Sequence, residues 1–194
     1  LDAAGWKVGP DGIRVKNGKR FSITLSTTAG NQLRAQVQVV VQDELRRVGI
    51  QAAIRNYPPS QFFASIATGG IEFSRKFDIG GWTDSIVGID PDVSIFWSRE
   101  QIPTKANGGG GLNVTGISDP ALERVVTAQL HVVDFAQRRA LLIQAQDIVY
   151  KDVPAVFMYD RLDIFAANAR ISGVQHTDDA TEAYLWNTWQ WQLH

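Results

Sequence analysis

The apolar pattern over residues 20–56 constrains the fold more than any other part of the sequence. Over residues 20–27 apolar side chains alternate with polar ones, which is typical of a half-buried strand. Over residues 31–48 they recur at helical spacing, and Gly49 follows where a helix commonly ends. Residues 51–56 return as a second strand. Two strands joined through a helix by short connections form a right-handed parallel crossover in nearly all proteins, so an α/β fold is predicted.

Caps, turns and apolar runs predict further elements along the chain. The crossover helix has its apolar stripe at Leu33, Val37, Val40, Val41, Leu45 and Val48. The other elements of the first half are a hairpin over residues 10–20, a helix over 61–68 capped by Ser60, a third parallel strand over 77–82 and a short helix over 92–97. In the second half they are helices over 121–130 and 135–151, capped by Asp119 and Asp134, and strands over 155–159 and 161–167.

A glycine-rich stretch separates the two halves. Residues 103–116 include four consecutive glycines, at 108–111. No Lys-Ser/Thr pair follows them and no helix begins directly after, so they do not form a phosphate-binding motif. The stretch is predicted to be a flexible linking loop.

The charge balance and the lack of cysteine exclude several classes of function. Nineteen basic and twenty acidic residues give a net charge of −1, so electrostatics provide no reason to expect binding to nucleic acid or to an anionic membrane surface. Without cysteine there are no disulfides, thiol nucleophiles or cysteine-based metal sites. No stretch approaches the ~20 apolar residues that span a bilayer. The chain opens Leu-Asp-Ala-Ala without a Met or a leader, and is interpreted as beginning inside a longer protein.

The side chains that catalysis or metal binding would need do not form a motif. None of the three histidines lies in a nucleophile motif or in a His-x-x-x-His pair, and no Gly-x-Gly-x-x-Gly opens a helix after a strand. The remaining catalytic alternative is a hydrolase that pairs aspartates from Asp78, Asp84, Asp90 and Asp92. We predict that the protein is not an enzyme and holds neither a cofactor nor a metal.

The third strand leads into a candidate ligand site. It stops at Gly80-Gly81 and is followed by an aromatic ring, a hydroxyl and a carboxylate, from Trp82, Thr83 and Asp84. The carboxyl end of a parallel strand is where α/β sheets present ligands. An aromatic wall beside a carboxylate suits a ligand with an apolar body and a cationic end. We therefore predict that Gly81, Trp82, Thr83 and Asp84 bind the ligand.

The flanking residues of this strand have simpler interpretations. An Asp90-Pro91 turn is predicted to close the segment. Arg75 and Lys76, just before the strand, are expected to be solvated.

Several short motifs, in order along the chain, resemble those of one family. They are Leu1-Asp-Ala-Ala-Gly-Trp6, Leu45-Arg-Arg-Val-Gly-Ile-Gln51, Phe77-Asp-Ile-Gly-Gly-Trp82 with Asp90-Pro91, Asn113 and Gly116 with Ser118-Asp-Pro-Ala-Leu-Glu-Arg124, and the stretch from Arg139 to Ala155. Their order and spacing are similar to those of the family 5 bacterial extracellular solute-binding proteins. This family contains the peptide, dipeptide and nickel receptors of ATP-driven importers.

The resemblance implies the architecture. The expected fold is the second lobe of a two-lobed periplasmic-binding-protein-like fold, α/β, with a mixed sheet and flanking helices. Residues 1–160 would form the ligand-binding lobe, and residues 161–194 a hinge and return segment leading to lobe I. The N-terminal lobe I is expected to be absent from this chain. The aromatic tail, with Trp186, Trp189 and Trp191, would either pack on this lobe or lie on its surface.

The resemblance also implies the function. The chain would be part of a receptor that holds an oligopeptide or dipeptide between two lobes by hinge closure, without catalysis. Its partners would be that solute, the importer's permease subunits and the missing lobe, and no nucleic acid. The expected location is periplasmic or extracellular, with a lipoprotein anchor as one form.

The family's peptide-binding members also provide a comparison for the site. They bind the peptide's amino end with an Asp commonly three residues past the Trp, whereas Asp84 stands two past Trp82. Receptors for a nickel chelate or an oligosaccharide therefore remain alternatives. A ligand-sensing domain of a transcriptional regulator is another.

Overall fold

A computed structural model describes residues 1–84, 92–159, 166–175 and 185–194 of the chain. The chain forms two compact units, Leu1–Thr83 with Ile95–Asp119, and Asp84–Ser94 with Pro120–His194. Helices and both parallel and antiparallel strands are present, so the predicted α/β class is confirmed. The predicted Asp90-Pro91 turn and most of the predicted strand over 161–167 lie outside the described residues. The division into residues 1–160 and 161–194 stays a prediction.

An antiparallel sheet opens the first unit. It consists of β1 (Lys7–Val8), β2 (Arg14–Lys16) and β3 (Lys19–Arg20), in that order. Asn17 and Gly18 form the tight turn between β2 and β3, with φ of 52° and 75°. Positive φ at both positions is what a two-residue hairpin turn requires, and Asn-Gly adopts it readily. The predicted hairpin is confirmed, with β1 as an additional strand.

A parallel sheet forms the centre of the first unit. Its strands are β4 (Ser22–Thr27), β5 (Gln51–Ile54) and β6 (Ile79–Gly81), in the order β5-β4-β6. Helix α1 (Gln32–Arg47) connects β4 to β5. It begins where Asn31 Oδ1 accepts a hydrogen bond from Arg34 N at 3.0 Å, and Gly49 follows its end with φ of 84°. The predicted crossover and the third parallel strand are both confirmed.

The predicted apolar stripe of α1 is only partly buried. Leu33, Val40 and Val48 are 46%, 61% and 48% exposed. The buried residue of the helix is Gln38, whose Oε1 accepts a hydrogen bond from Asn56 Nδ2 at 2.8 Å. Val37, Val41 and Leu45 of the stripe are half-buried, so apolar spacing predicted part of the inward face but not the polar pair within it.

The helix predicted over residues 61–68 is interrupted. Helix α2 (Pro59–Phe62) ends after one turn, and a single 3₁₀ turn follows over Ile66–Thr68. The carbonyl groups that would continue α2 are used elsewhere, because Gln61 O and Phe62 O accept from the backbone N–H groups of Ile71 and Glu72 at 3.3 and 3.0 Å. Pro59, rather than a residue after Ser60, begins the helix, as expected for proline at a first helical position.

The glycine-rich loop is packed, unlike a linker. It follows α3 (Ser94–Trp97), and Asn113 within it is fully buried. Asn113 Nδ2 donates to Ser98 O and to Ile117 O, both at 3.0 Å. A Cβ atom at Gly111 would overlap the carbonyl oxygen of Gln101. Glycine at this position therefore permits close packing.

Two helices form the core of the second unit. They are α4 (Pro120–Ala128) and α5 (Phe135–Asp152), and Asp134 Oδ1 caps α5 by accepting from Gln137 N at 2.8 Å. Their buried contacts come from Leu122, Val126, Ala145 and Val149. Both predicted helices are confirmed. No helix in the described ranges combines the length and the apolar character that crossing a membrane needs.

The strand predicted over residues 155–159 is wrong, since the structure assigns these residues no strand. A strand requires a partner for its backbone groups, and none of the described residues provides one. The two short strands of this unit are β7 (Ile171–Ser172) and β8 (Gln192–Leu193), which pair antiparallel.

The aromatic tail is packed on itself and partly exposed. Trp189 is 71% exposed and meets Trp186 edge to face, with ring centroids 5.8 Å apart. Trp191 Nε1 donates to the buried Asn187 Oδ1 at 3.0 Å.

Candidate ligand-binding site

Side chains fix β6 in the parallel sheet at both of its ends. At the amino end, Asp78 Oδ2 accepts a hydrogen bond from the backbone N–H of Thr24 at 2.7 Å. At the carboxyl end, Thr27 Oγ1 donates to the carbonyl oxygen of Gly81 at 2.5 Å. Asp78 thus extends the sheet's hydrogen bonding, which accounts for this carboxylate without a catalytic role.

Trp82 rests on two phenylalanines directly after β6. Its ring centroid lies 6.3 Å from that of the fully buried Phe62 and 5.8 Å from that of Phe77. Gly80 makes room for this arrangement, since a Cβ atom there would lie 2.6 Å from Trp82 Cζ3 and 2.9 Å from Phe77 Cε2. The indole is half-buried. Such packing holds an aromatic surface in one orientation.

Gly81 and Thr83 flank this ring, and both are exposed. A Cβ atom at Gly81 would meet nothing within 4 Å, so the backbone is open to approach at this point. Thr83 Oγ1 accepts a hydrogen bond from Arg34 Nη2 at 3.3 Å, and Arg34 Nη1 donates to Thr28 Oγ1 at 2.7 Å. The guanidinium of α1 therefore links the carboxyl ends of β4 and β6.

Asp84, the last of the predicted site residues, is exposed and is the first residue of the second unit. The structure thus groups Gly81, Trp82 and Thr83 in the first unit. The assignment of all four residues to ligand binding stays a prediction.

A polar network behind the sheet edge was missed by the sequence reasoning. Gln38 accepts from Asn56 Nδ2, and Asn56 Oδ1 accepts from the backbone N–H of Thr27 at 3.1 Å. Thr27 in turn holds Gly81 through its hydroxyl. The signal that could have indicated these residues is their position, because Asn56 and Thr27 both stand at the carboxyl ends of predicted parallel strands.

Arg34 was also missed, although it carries a comparable signal. It lies in the first turn of the crossover helix, which begins at the edge where the strands end. A long basic side chain at this position can reach neighbouring strand ends.

The carboxylate of Asp92, in the second unit, is engaged in structural hydrogen bonds. Its Oδ1 accepts from Ser94 N at 2.9 Å and from Gln129 Nε2 at 3.0 Å. Burial would raise the pKa of Asp92, but the hydrogen bonds from Ser94 and Gln129 and the positive charge of Arg138 outweigh it and hold the pKa below its ordinary value. Asp92 is therefore a carboxylate at neutral pH, unsuited to act as a general acid.

The part of the chain that the structure describes contains no candidate metal-binding cluster. There, no three His, Asp or Glu side chains gather in a way that could hold a metal ion.

Comparison with known proteins identifies longer proteins of which one part is similar to this chain. No protein-family model matches the chain. The oligopeptide-binding protein AppA of Bacillus subtilis is 26% identical over all 194 residues, which make up 33% of the relative's length. Its structure in complex with a nonapeptide matches with a TM-score of 0.75 at 25% identity, over 100% of this chain and 36% of that one. Over its whole length, the chain is thus similar to about a third of an oligopeptide-binding protein.

Two further solved structures are similar to the chain. The oligopeptide-binding protein of Thermus thermophilus, complexed with a pentapeptide, is 29% identical over 79% of this chain and 27% of its own, with a TM-score of 0.68. NikZ of Campylobacter jejuni, in complex with Ni(L-His), shares the fold at 20% identity, with a TM-score of 0.72 over 98% of this chain and 37% of that one. The chain thus spans about a third of the length of these relatives.

Proposed function

We propose that the chain is the ligand-binding lobe of a solute receptor for an ATP-driven importer, and that the solute is an oligopeptide or dipeptide. Residues 1–160 would form this lobe and residues 161–194 its return toward lobe I. The support comes from the two relatives of at least 25% identity whose structures hold a nonapeptide and a pentapeptide.

The observation that carries the proposal is the seating of Trp82 at the carboxyl end of β6. Phe62, Phe77 and the missing side chain of Gly80 fix the indole beside the open backbone of Gly81. A rigid aromatic surface next to accessible peptide groups can stack a side chain of a ligand and hydrogen-bond an extended backbone without reading its sequence. That combination suits a peptide better than a small inorganic solute.

Asp84 is proposed to meet the peptide's α-ammonium group. A hydrogen bond assisted by charge contributes about 1.5–3 kcal/mol net. A cation or ring against Trp82 adds about 0.5–2 kcal/mol. Because micromolar affinity requires about −8 kcal/mol, these contacts are half of a site. The remainder would come from lobe I and from exclusion of water on closure.

Exposed apolar residues after α5 support the proposal that another part of the receptor covers this surface. Val156, Phe157 and Tyr159 are 69%, 81% and 52% exposed, in a strand-prone segment with no strand partner among the described residues. Contiguous exposed apolar surface usually marks an interface. We assign this surface to lobe I of the same protein.

The proposed receptor binds without chemistry. Its relatives are named for the solutes they bind, and Asp78 and Asp92 are both engaged in structural hydrogen bonds. As a receptor it would be located outside the cytoplasmic membrane, either free or held by a lipid anchor. It would work with the importer's permease subunits.

Native mass spectrometry of the full-length protein purified from its own cells tests the proposal. The expected result is a bound population with the masses of short peptides, which is lost from a Trp82→Ala variant. Lys151→Gln, which changes an exposed residue at the end of α5, is the control and should keep the peptides. A bound nickel chelate or oligosaccharide, or full peptide loading in the Trp82→Ala variant, would contradict the proposal.

A further inference from the structure

A cleft is lined in part by residues 74–76, which shortly precede β6. It has a volume of about 590 Å³, and the chain segments around it belong to the first unit. Three of its lining residues are cationic, namely Arg75, Lys76 and Lys105, and none of the described residues that line it is a carboxylate. This concentration of one sign contrasts with the net charge of −1 for the whole chain.

The two lysines have no partner among the residues that the structure describes. Neither ammonium group makes an ion pair or a hydrogen bond with any residue that the structure describes. Lys76 nevertheless lies along the cleft wall, since its Nζ would be 3.5 Å from a Cβ atom at Gly69. Cations that are gathered but unpaired leave their hydrogen-bonding capacity for a ligand.

Arg75 adopts a backbone conformation that favours glycine. Its φ is 51°, in a turn where Arg75 N donates to Glu72 O at 2.8 Å and Lys76 N donates to Ile71 O at 2.9 Å. An arginine in the left-handed region is uncommon and points to a use for its side chain. One use is visible, because Arg75 Nη1 lies 3.4 Å from Pro103 O. This bond ties the turn that carries Lys76 to the loop that carries Lys105.

The loop that carries Lys105 is also held by hydrogen bonds. Asn107 Oδ1 accepts from Thr104 N at 2.9 Å, and Asn107 Nδ2 donates to Ile102 O at 2.9 Å. A Cβ atom at Gly109 would overlap the side chain of Ile66, so the loop lies directly against the 3₁₀ turn. Lys105 therefore projects from a loop that is already ordered, which lowers the entropic cost of binding.

We propose that this cleft is a binding site for a small oxyanion, a phosphate or carboxylate group, with Lys76 and Lys105 as its main charged donors. The Ser74 hydroxyl, also in the lining, is a further donor, and the bare backbone of Gly108 leaves room, since a Cβ atom there would meet nothing within 4 Å. Carboxylate and phosphate oxygens are the acceptors that such donors match. The site uses none of the residues proposed for solute binding.

Amide chemical-shift titration of the 194-residue chain tests this site. Inorganic phosphate is added at constant ionic strength, with citrate in a parallel titration to separate phosphate from carboxylate preference. Saturable shifts of the Gly69, Lys105 and Gly108 amides are expected for at least one of the two anions. Raising the salt concentration should weaken binding, because the cations are exposed and screened.

Variants with matched charge identify the donors. The double variant Lys76→Gln/Lys105→Gln should bind the preferred anion at least about fivefold more weakly. The control Lys19→Gln/Lys151→Gln removes two exposed lysines elsewhere and should stay within about twofold of the original chain. Lys105→Arg should retain binding. Linear, non-saturating shifts, or equal affinities for the two double variants, would overturn the proposal, and dispersed spectra confirm that each variant is folded.

Discussion

Gly80 and Trp82 are coupled by close packing, since a Cβ atom on Gly80 would lie 2.6 Å from Trp82 Cζ3. The Gly80→Ala substitution should therefore displace the indole or Phe77 and destabilise the chain by about 1–3 kcal/mol, as overpacked cores do. Urea unfolding measures the loss. Gly81→Ala is the matched control, because a Cβ atom there meets nothing within 4 Å, and it should change stability by less than about 0.5 kcal/mol. Equal unfolding midpoints for the two variants would show that Gly80 does not set the position of the ring.

The Gly81→Ala variant also separates the effect on folding from the effect on ligand binding. In the full-length receptor, Gly81→Ala should leave the fold intact but weaken solute binding, because the methyl group would occupy the open side of the backbone. Calorimetry with the peptide recovered from cells gives the affinity. Unchanged peptide affinity would remove Gly81 from the proposed site.

The Thr27 hydroxyl is expected to stabilise the carboxyl end of β6. The Thr27→Val variant keeps the shape of the buried side chain but leaves Gly81 O without its donor, and should lose about 1 kcal/mol. Thr24→Val is the comparison, since the Thr24 hydroxyl has no hydrogen bond among the described residues, and it should lose less. Guanidinium unfolding of both variants decides whether the Thr27 bond contributes.

Sequence alone predicts those features of the fold that depend on neighbouring residues. Asn31, Asp134 and Gly49 mark helix ends by interactions within one turn, and Asn17-Gly18 marks its hairpin by backbone conformation. All of these are local properties.

The remaining features depend on residues far apart in sequence. The burial of Gln38 in α1 involves its pairing with Asn56, and Trp82 packs against Phe62, twenty positions earlier. Residues 155–159 have strand propensity, but a strand also needs a partner. Near the candidate site, therefore, the position of Trp82 and Thr83 directly after β6 could be predicted, whereas the links from Arg34 and Thr27 could not.

Asp92 should make stability depend on pH in the acid range. Its folded pKa is lowered from 3.8, so its contribution is fully present above that value and is lost as the pH falls through the lower folded value. Asp92→Asn should cost about 0.5–1 kcal/mol at neutral pH, reduced by partial exposure, and the difference from the original chain should shrink below pH 3.8. Urea unfolding across this range measures it, with the exposed Asp147→Asn as control. A difference that persists unchanged at the lowest pH would contradict the ionic role.

Two adjacent glycines distinguish a packed loop from a linker. Gly111 has φ of 102°, and a Cβ atom there would overlap Gln101 O, so Gly111→Ala should destabilise the chain by about 2 kcal/mol or more. At Gly110 the nearest atom to a Cβ position is Asn107 O at 3.5 Å, an ordinary contact, so Gly110→Ala should change stability by less than about 0.5 kcal/mol. Thermal unfolding followed by circular dichroism compares them. A flexible linker would tolerate both substitutions alike, since alanine fits most backbone conformations that a mobile loop can adopt. A large loss at Gly111 alone would instead show that glycine is needed at this position for the close approach of the backbone to Gln101.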